Sequence, residues 1–233
     1  NVDDIIDNIK CLHGSFDIND VNINSFLINY GFLSKNKIIK TIETILIKQF
    51  NNVPTFSELY KLSEKEVIIS SFNLNKEKVV YFSYKTHPNM NILTAISLSI
   101  NIPFIFEKEI FNNELYIDAG LVNNNISWEY YKNIPSKNKL GIYLYFDDKN
   151  SFKSNDIKLT KYITYIFKTI YRQSFKMYEN FINLNNENIF ILKEEIKYKT
   201  SLADKLSVPS DKKIHEMIRY GYEEMQLYLK KKI

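Results

Sequence analysis

Glycine is scarce in this sequence, and its spacing excludes one common catalytic element from these 233 residues. The strained strand-to-helix turn of a Gly-x-Ser-x-Gly nucleophile elbow needs two glycines four positions apart, because side chains on either flank would clash. The five glycines are Gly14, Gly31, Gly120, Gly141 and Gly221. No pair has the required spacing, so these residues hold neither a nucleophile elbow nor a glycine-rich oxyanion loop.

Cysteine and histidine are also rare. A single cysteine, Cys11, excludes an internal disulfide and a cysteine zinc cluster. We expect Cys11 to be a buried apolar residue on a first helix, whose apolar face spans Ile5–Leu12. No two of the three histidines, His13, His87 and His215, share a helical turn, which argues against a metal site.

Arginine is rare in this sequence, and long apolar runs are absent from it. Only two of the 31 basic residues are arginine and the net charge is +4, which argues against a surface that reads nucleic acid bases. No run of about 18 apolar residues indicates a membrane span. The basic tail Lys230–Lys232 is interpreted as a solvated C-terminus, with contact to anionic lipid as the alternative.

Apolar residues make up 45% of the chain, enough for the buried core of one domain, and we predict a single domain over residues 1–233. Helices and strands alternate along the chain, which favours an α/β layered fold. The predicted elements are helices at Ser34–Phe50, from Thr55, at Ile92–Ile100 and from Ser210, and strands at Val67–Phe72, Val79–Tyr84, Lys139–Phe146 and Ile189–Leu192.

A long helix is predicted over Leu159–Asn183, with an aromatic and aliphatic stripe along it. The stripe is Tyr162, Ile163, Ile166, Phe167, Ile170, Phe175, Tyr178 and Phe181. We expect it to pack against a sheet, as amphipathic helices of α/β domains do. The alternatives are that it lines an acyl-chain tunnel or meets a membrane surface.

The segment from Leu98 to Ile126 carries the most chemical information. A helix is followed by Pro103, a short apolar strand and a hairpin that turns at Asn112-Asn113 into a strand ending at Asp118. Small residues, Ala119 and Gly120, follow this aspartate. A carboxylate at a strand end beside such a loop is suited to act as a base in acyl transfer. The alternative is that Asp118 only caps the amides of the loop.

This segment closely resembles the aspartate segment of the patatin-like lipid acyl hydrolases, which pairs a proline-phenylalanine step and a hairpin with Asp-Gly-Gly or Asp-Gly-Ala. The lead-in Asn29–Phe32 and the Thr55–Leu59 step are also similar to the family. The resemblance covers roughly residues 2 to 230. It implies an α/β, layered patatin-like fold with a central, largely parallel sheet flanked by helices, here without its N-terminal strands.

The resemblance implies a Ser-Asp dyad without a histidine, with Asp118 as the general base, Ala119 and Gly120 as the loop that supports it, and no cofactor or metal. The family prefers glycine at the position of Ala119. If that position has a positive φ, alanine would cost roughly 1 kcal/mol or somewhat more.

In the family the nucleophile precedes the matching region, so we expect the serine upstream of residue 1, on the same chain or on a partner chain. We also expect these residues to fold poorly without the preceding strands. The implied activity is that of a phospholipase A or lysophospholipase. It would act on phospholipid or another acyl ester, at a peripheral membrane surface or in the cytoplasm. The alternative is an inactive scaffold that binds lipid or protein.

Other acidic and histidine residues offer weaker candidates. His215 follows Asp118 in the order of an ordinary triad, but it lies within a predicted helix, and His13 and His87 are interpreted as surface loop residues. Asp147-Asp148 is interpreted as an exposed turn after a strand, and Asp3, Asp4 and Asp7 as first-turn acids that favour the helix dipole.

Overall fold

The computed structural model describes residues 23–122, 140–147, 189–195 and 210–231, and single positions at 7–8, 11, 130, 133, 135, 138, 162, 165–166, 169–170 and 173. The chain divides into two compact units, residues 1–126 and 127–233. The single domain over residues 1–233 stays a prediction.

The described residues of the first unit form four helices. They are α1 (Ile23–Asn29), α2 (Asn36–Phe50), α3 (Phe56–Ser63) and α4 (Ile92–Ser99). Thr55 and Glu58 form a reciprocal capping box that starts α3, with Glu58 N 3.3 Å from Thr55 Oγ1 and Thr55 N 2.8 Å from Glu58 Oε2. Asn91 is the N-cap of α4, and its side-chain oxygen accepts a hydrogen bond from Leu93 N.

The described residues of the first unit also form six strands: β1 (Gly31–Leu33), β2 (Ile69–Asn73), β3 (Lys78–Phe82), β4 (Phe104–Phe106), β5 (Glu109–Phe111) and β6 (Glu114–Ile117). A four-stranded antiparallel sheet has the order β3-β2-β6-β5, in which the hairpins β2–β3 and β5–β6 are joined by the pairing of β2 with β6. The pair β1–β4 is parallel. Among the described residues, one core cluster consists of seven buried side chains: Phe56, Phe82, Met90, Ile92, Ala95, Leu98 and Tyr116.

Gly31 allows β1 and β4 to approach closely. A Cβ atom at this position would lie 2.1 Å from the backbone C and O atoms of Phe106. Backbone cannot move aside as the end of a side chain can, so only a residue without a Cβ fits here. Asn29 and Leu33 contribute carbonyl oxygens that accept from Lys108 N and Glu107 N, which continues the contact beyond the strand pair.

In the second unit, β7 (Gly141–Asp147) and β8 (Ile189–Glu195) pair in parallel, and α5 (Asp211–Lys230) begins with Ser210 as its N-cap. Phe190 on β8 packs against Tyr228 on α5, with ring centroids 5.5 Å apart. Two parallel strand pairs together with helices in both units confirm the α/β class predicted from the sequence.

One expectation from the sequence is wrong, because Cys11 is exposed rather than buried. Along the predicted helix over 159–183, the described stripe members Tyr162, Ile166 and Ile170 are 51%, 38% and 43% exposed. The packing of the stripe as a whole stays a prediction. The other stripe residues and most of the first helix lie outside the described residues.

Candidate active site

Asp118 directly follows β6 and caps a 3-10 turn at Ala119–Leu121. The β5–β6 hairpin that leads to it turns at Asn112-Asn113, as predicted. Both asparagines have positive φ, 52° and 62°, which is the conformation that a two-residue type I′ hairpin loop requires. The hairpin therefore fixes the register of β6 and the point at which Asp118 leaves the strand.

Hydrogen bonds hold the backbone on both sides of Asp118. The buried Ser71 hydroxyl lies 2.7 Å from the carbonyl oxygen of Ile117. The pairing of β5 with β6 ends at Glu109 and Tyr116, so β5 offers no partner for Asp118. Asn101 takes that place, because its carbonyl oxygen accepts from Asp118 N at 2.8 Å and its side-chain amide donates to Tyr116 O at 2.8 Å.

The carboxylate of Asp118 is half-buried. Its Oδ1 accepts a hydrogen bond from Gly120 N at 2.8 Å. Burial raises the pKa of Asp118 above its ordinary value, and the bond from Gly120 N opposes this effect. The capping role considered from the sequence is therefore present, and it occupies one carboxylate oxygen.

The loop after Asp118 accepts alanine without strain. Ala119 is 1% exposed and Gly120 is half-buried, and neither has a positive φ. The condition under which alanine would be costly is therefore not met. Ala119 also contributes its carbonyl oxygen, which accepts from Val122 N at 3.1 Å and closes the turn.

A partly buried polar cluster that includes Asn101 gave no signal in the sequence. It consists of Lys35, Ser97, Asn101 and Glu109, and we call it the Lys35 cluster. Lys35 is 8% exposed, forms an ion pair with Glu109, and donates to Ser97 O at 3.0 Å and Asn101 Oδ1 at 3.1 Å. Burial lowers the pKa of Lys35 to about 7, while the carboxylate of Glu107 acts to raise it. The contact between Lys35 and Glu109 joins residues that are 74 positions apart in the sequence.

At the other end of β6, Glu114 is held by partners that favour its charged form. Lys76 Nζ lies 2.5 Å from Glu114 Oε1, and Asn73 Nδ2 donates a hydrogen bond to Glu114 Oε2 at 2.6 Å. These bonds, first from Lys76 and then from Asn73, lower the pKa of Glu114. Glu114 therefore anchors the hairpin as an ion-paired carboxylate.

Two of the three histidines, His87 and His215, lie within the described residues. His215 lies in α5, as predicted, and is exposed. His87 lies in the loop between β3 and α4, as predicted, and is half-buried there because its ring packs edge-on against Phe82 at 4.9 Å. Burial lowers the pKa of His87, and the ring lines a cavity of about 420 Å³ together with residues 88–91, Thr94 and Phe111. His13 lies outside the described residues.

The remaining acidic candidates lie apart from Asp118 in the chain. Asp147 is the last residue of β7, opposite Glu195, while Asp3, Asp4 and Asp148 are outside the described residues. In the part of the chain that the structure describes, no group of three or more histidine, cysteine or acidic side chains is arranged to hold a metal ion. Over the same residues, no helix is both long and apolar enough to cross a membrane.

Comparison with known proteins identifies similar chains. A family model described as patatin-like phospholipase matches residues 7–127, a range that includes Asp118, Ala119 and Gly120. A protein named as a probable lipid hydrolase in Invertebrate iridescent virus 6 is 32% identical over 156 residues, which is 66% of this chain and 48% of that protein. An uncharacterized protein of Acanthamoeba polyphaga mimivirus is 34% identical over 93 residues, or 39% of this chain and 30% of that protein. The chain thus spans about half or less of the length of these curated relatives.

Proposed function

The chain belongs to the patatin-like phospholipase family, and from this we propose that it forms part of a lipid acyl hydrolase and supplies the general base of a Ser-Asp dyad. Asp118 is that base. The serine lies on a segment that precedes residue 1, on the same or a partner chain. The substrate is a phospholipid or another acyl ester, met at a peripheral membrane surface, with phospholipase A or lysophospholipase specificity and no cofactor.

The observation that carries this proposal is the environment of Asp118. A serine hydroxyl becomes a strong nucleophile when a base removes its proton, and a carboxylate whose pKa is raised by burial accepts that proton more readily. Gly120 N holds Oδ1 in place. The second carboxylate oxygen is then available to receive the proton from the serine.

The test is the replacement Asp118→Asn in the complete protein, assayed for release of fatty acid from phospholipid vesicles. We expect hydrolysis to fall by about 10²- to 10⁴-fold, the usual contribution of a general base. The control is Glu114→Gln, which removes a carboxylate at the other end of the same strand and should leave hydrolysis intact. Full activity in Asp118→Asn would refute the proposed role of this residue.

The second candidate is a scaffold that binds lipid or protein without hydrolysing it. It is favoured by the capping bond from Gly120 N to Asp118, which gives the aspartate a structural role on its own. Vesicle cosedimentation separates the two functions. Binding by the complete wild-type protein without any fatty acid release would support the scaffold.

A further inference from the structure

Lys35 is a buried cation with a full set of partners. An ammonium group has three hydrogens to donate, and Ser97 O, Asn101 Oδ1 and the Glu109 carboxylate accept them. With 8% of its surface exposed, Lys35 cannot reach a substrate from this position. A direct role in binding a lipid head group is therefore excluded by the geometry.

Stability alone does not explain this ion pair. Replacing a buried ion pair by apolar residues of similar size is often neutral or stabilising, because the charges lose their hydration. Ser97 Oγ also donates to Glu109 Oε2, at 2.8 Å, so the pair is built into a network and is fixed in one geometry. The network ends on Asn101, which is 2% exposed.

Asn101 connects Lys35 to the strand that carries Asp118. The bond from Lys35 to Asn101 Oδ1 fixes which side of the amide is the oxygen, so that the amide nitrogen faces Tyr116 O at 2.8 Å. The carbonyl oxygen of the same residue accepts from Asp118 N at 2.8 Å. Asn101 therefore bonds to two consecutive peptide groups leading into Asp118, and Lys35 holds the other end of its side-chain amide.

We propose that Lys35 is a positioning residue for Asp118, acting through the side chain of Asn101. The proposal rests on the proposed role of Asp118 as the base. Without Lys35, the Asn101 amide loses the donor that sets its orientation, and the hold on Tyr116 O and Asp118 N loosens. The carboxylate then spends less time in the position from which it can take the serine proton, while the substrate contacts are unchanged.

The experiment compares the complete wild-type protein with Lys35→Met, using steady-state hydrolysis of phospholipid vesicles and amide hydrogen exchange at Asp118. We expect kcat to fall by about 10- to 100-fold with KM little changed, because a small misplacement of a catalytic group has effects of this size. Exchange of the Asp118 amide should become at least several-fold faster. The control is Lys85→Met, which breaks the pair with Glu66 at 2.8 Å in the same unit and should leave both measurements at wild-type values.

A second variant covers the case in which Lys35→Met fails to fold because Glu109 is left unpaired. In Lys35→Met/Glu109→Gln the carboxylate that pairs with Lys35 is neutralised as well, and the glutamine can still accept from Ser97 Oγ. A folded variant of either kind with wild-type kcat or wild-type exchange at Asp118 overturns the proposal. Asp118→Asn is assayed in parallel. If it is fully active, the proposed function fails, whereas loss of activity there with normal kcat in the Lys35 variants refutes the positioning role alone.

Discussion

Glu114 and Asp118 lie at opposite ends of β6, and their surroundings shift their pKa values in opposite directions. Lys76 and Asn73 lower the pKa of Glu114, while burial raises the pKa of Asp118. Both carboxylates accept hydrogen bonds, so hydrogen bonding alone does not explain why their pKa values shift in opposite directions. The difference is that Glu114 has a cation beside it and Asp118 has one amide. An anchoring carboxylate and a carboxylate suited to proton transfer can thus be told apart on a single strand.

The position of the carboxylate group should affect ester hydrolysis at the Asp118 end of β6 and not at the Glu114 end. Asp118→Glu moves the charged group by one methylene, and we expect kcat/KM for ester hydrolysis to fall by about 100-fold. Glu114→Asp makes the reverse change at the hairpin end and should keep kcat/KM within about twofold of wild type. Equal losses in the two variants would remove the functional contrast between the two ends.

The side-chain hydrogen bonds to the backbone at the two ends of β6 should contribute different amounts to the free energy of unfolding. Asn101→Leu leaves Tyr116 O and one hydrogen of Lys35 unpaired in a buried place, and we expect the free energy of unfolding to fall by about 2 kcal/mol. At the hairpin end, Asn75 accepts from Leu115 N in an exposed place, and Asn75→Ala should cost about 0.5 kcal/mol because water replaces the side chain. Urea denaturation of both variants measures the difference.

The pH dependence of stability should have opposite signs for the two carboxylates. The pKa of Asp118 is raised by folding, so its favourable contribution is present below its ordinary pKa of 3.8 and is lost as the pH rises through the folded-state value. Asp118→Asn should therefore raise the melting temperature at pH 7 and have little effect in acid.

For Glu114 the pKa is lowered by folding, so its contribution is present above the ordinary value of 4.5 and is lost as the pH falls through the folded-state value. Glu114→Gln should lower the melting temperature at pH 7, with a difference that disappears in acid. Thermal unfolding of both variants between pH 3 and 7 tests the pair, and shifts of the same sign at pH 7 would contradict the assigned environments.

The smallest expected effect is at the turn. Asn113 has a φ of 62°, a conformation that glycine adopts without steric cost. Asn113→Gly should raise the free energy of unfolding by up to about 0.5 kcal/mol and leave ester hydrolysis unchanged. A loss of stability would mean that the asparagine side chain contributes more to the turn than its backbone conformation.

Much of the region around Asp118 is encoded locally and could be predicted from sequence. The turn at Asn112-Asn113, the capping box at Thr55 and the strand end at Asp118 each depend on residues within a few positions, and all three are found in the structure. The family follows from the same segment and is confirmed by the match to residues 7–127. The base role of Asp118 stays a prediction.

The supports of Asp118 could not be predicted, because they depend on contacts between distant residues. Asn101 and Lys35 are separated by 66 positions, and neither has a neighbour pattern that distinguishes a buried network from a surface amide and a surface lysine. Cys11 shows a related failure, since its residue type suggested burial and its side chain is exposed. Long-range packing thus determines which polar side chains serve the strand that carries Asp118.

Glycine is the one amino acid that fits at position 31. A Cβ atom there would overlap the backbone of Phe106, and no change of neighbouring side chains can relieve a clash with backbone. Relatives that diverge freely in α1 and in the apolar residues of β4 should therefore still carry glycine at this position. In a mutational scan, the substitution-intolerant sites of the first unit should include Gly31 for a reason unrelated to catalysis, and its losses should appear as reduced protein abundance.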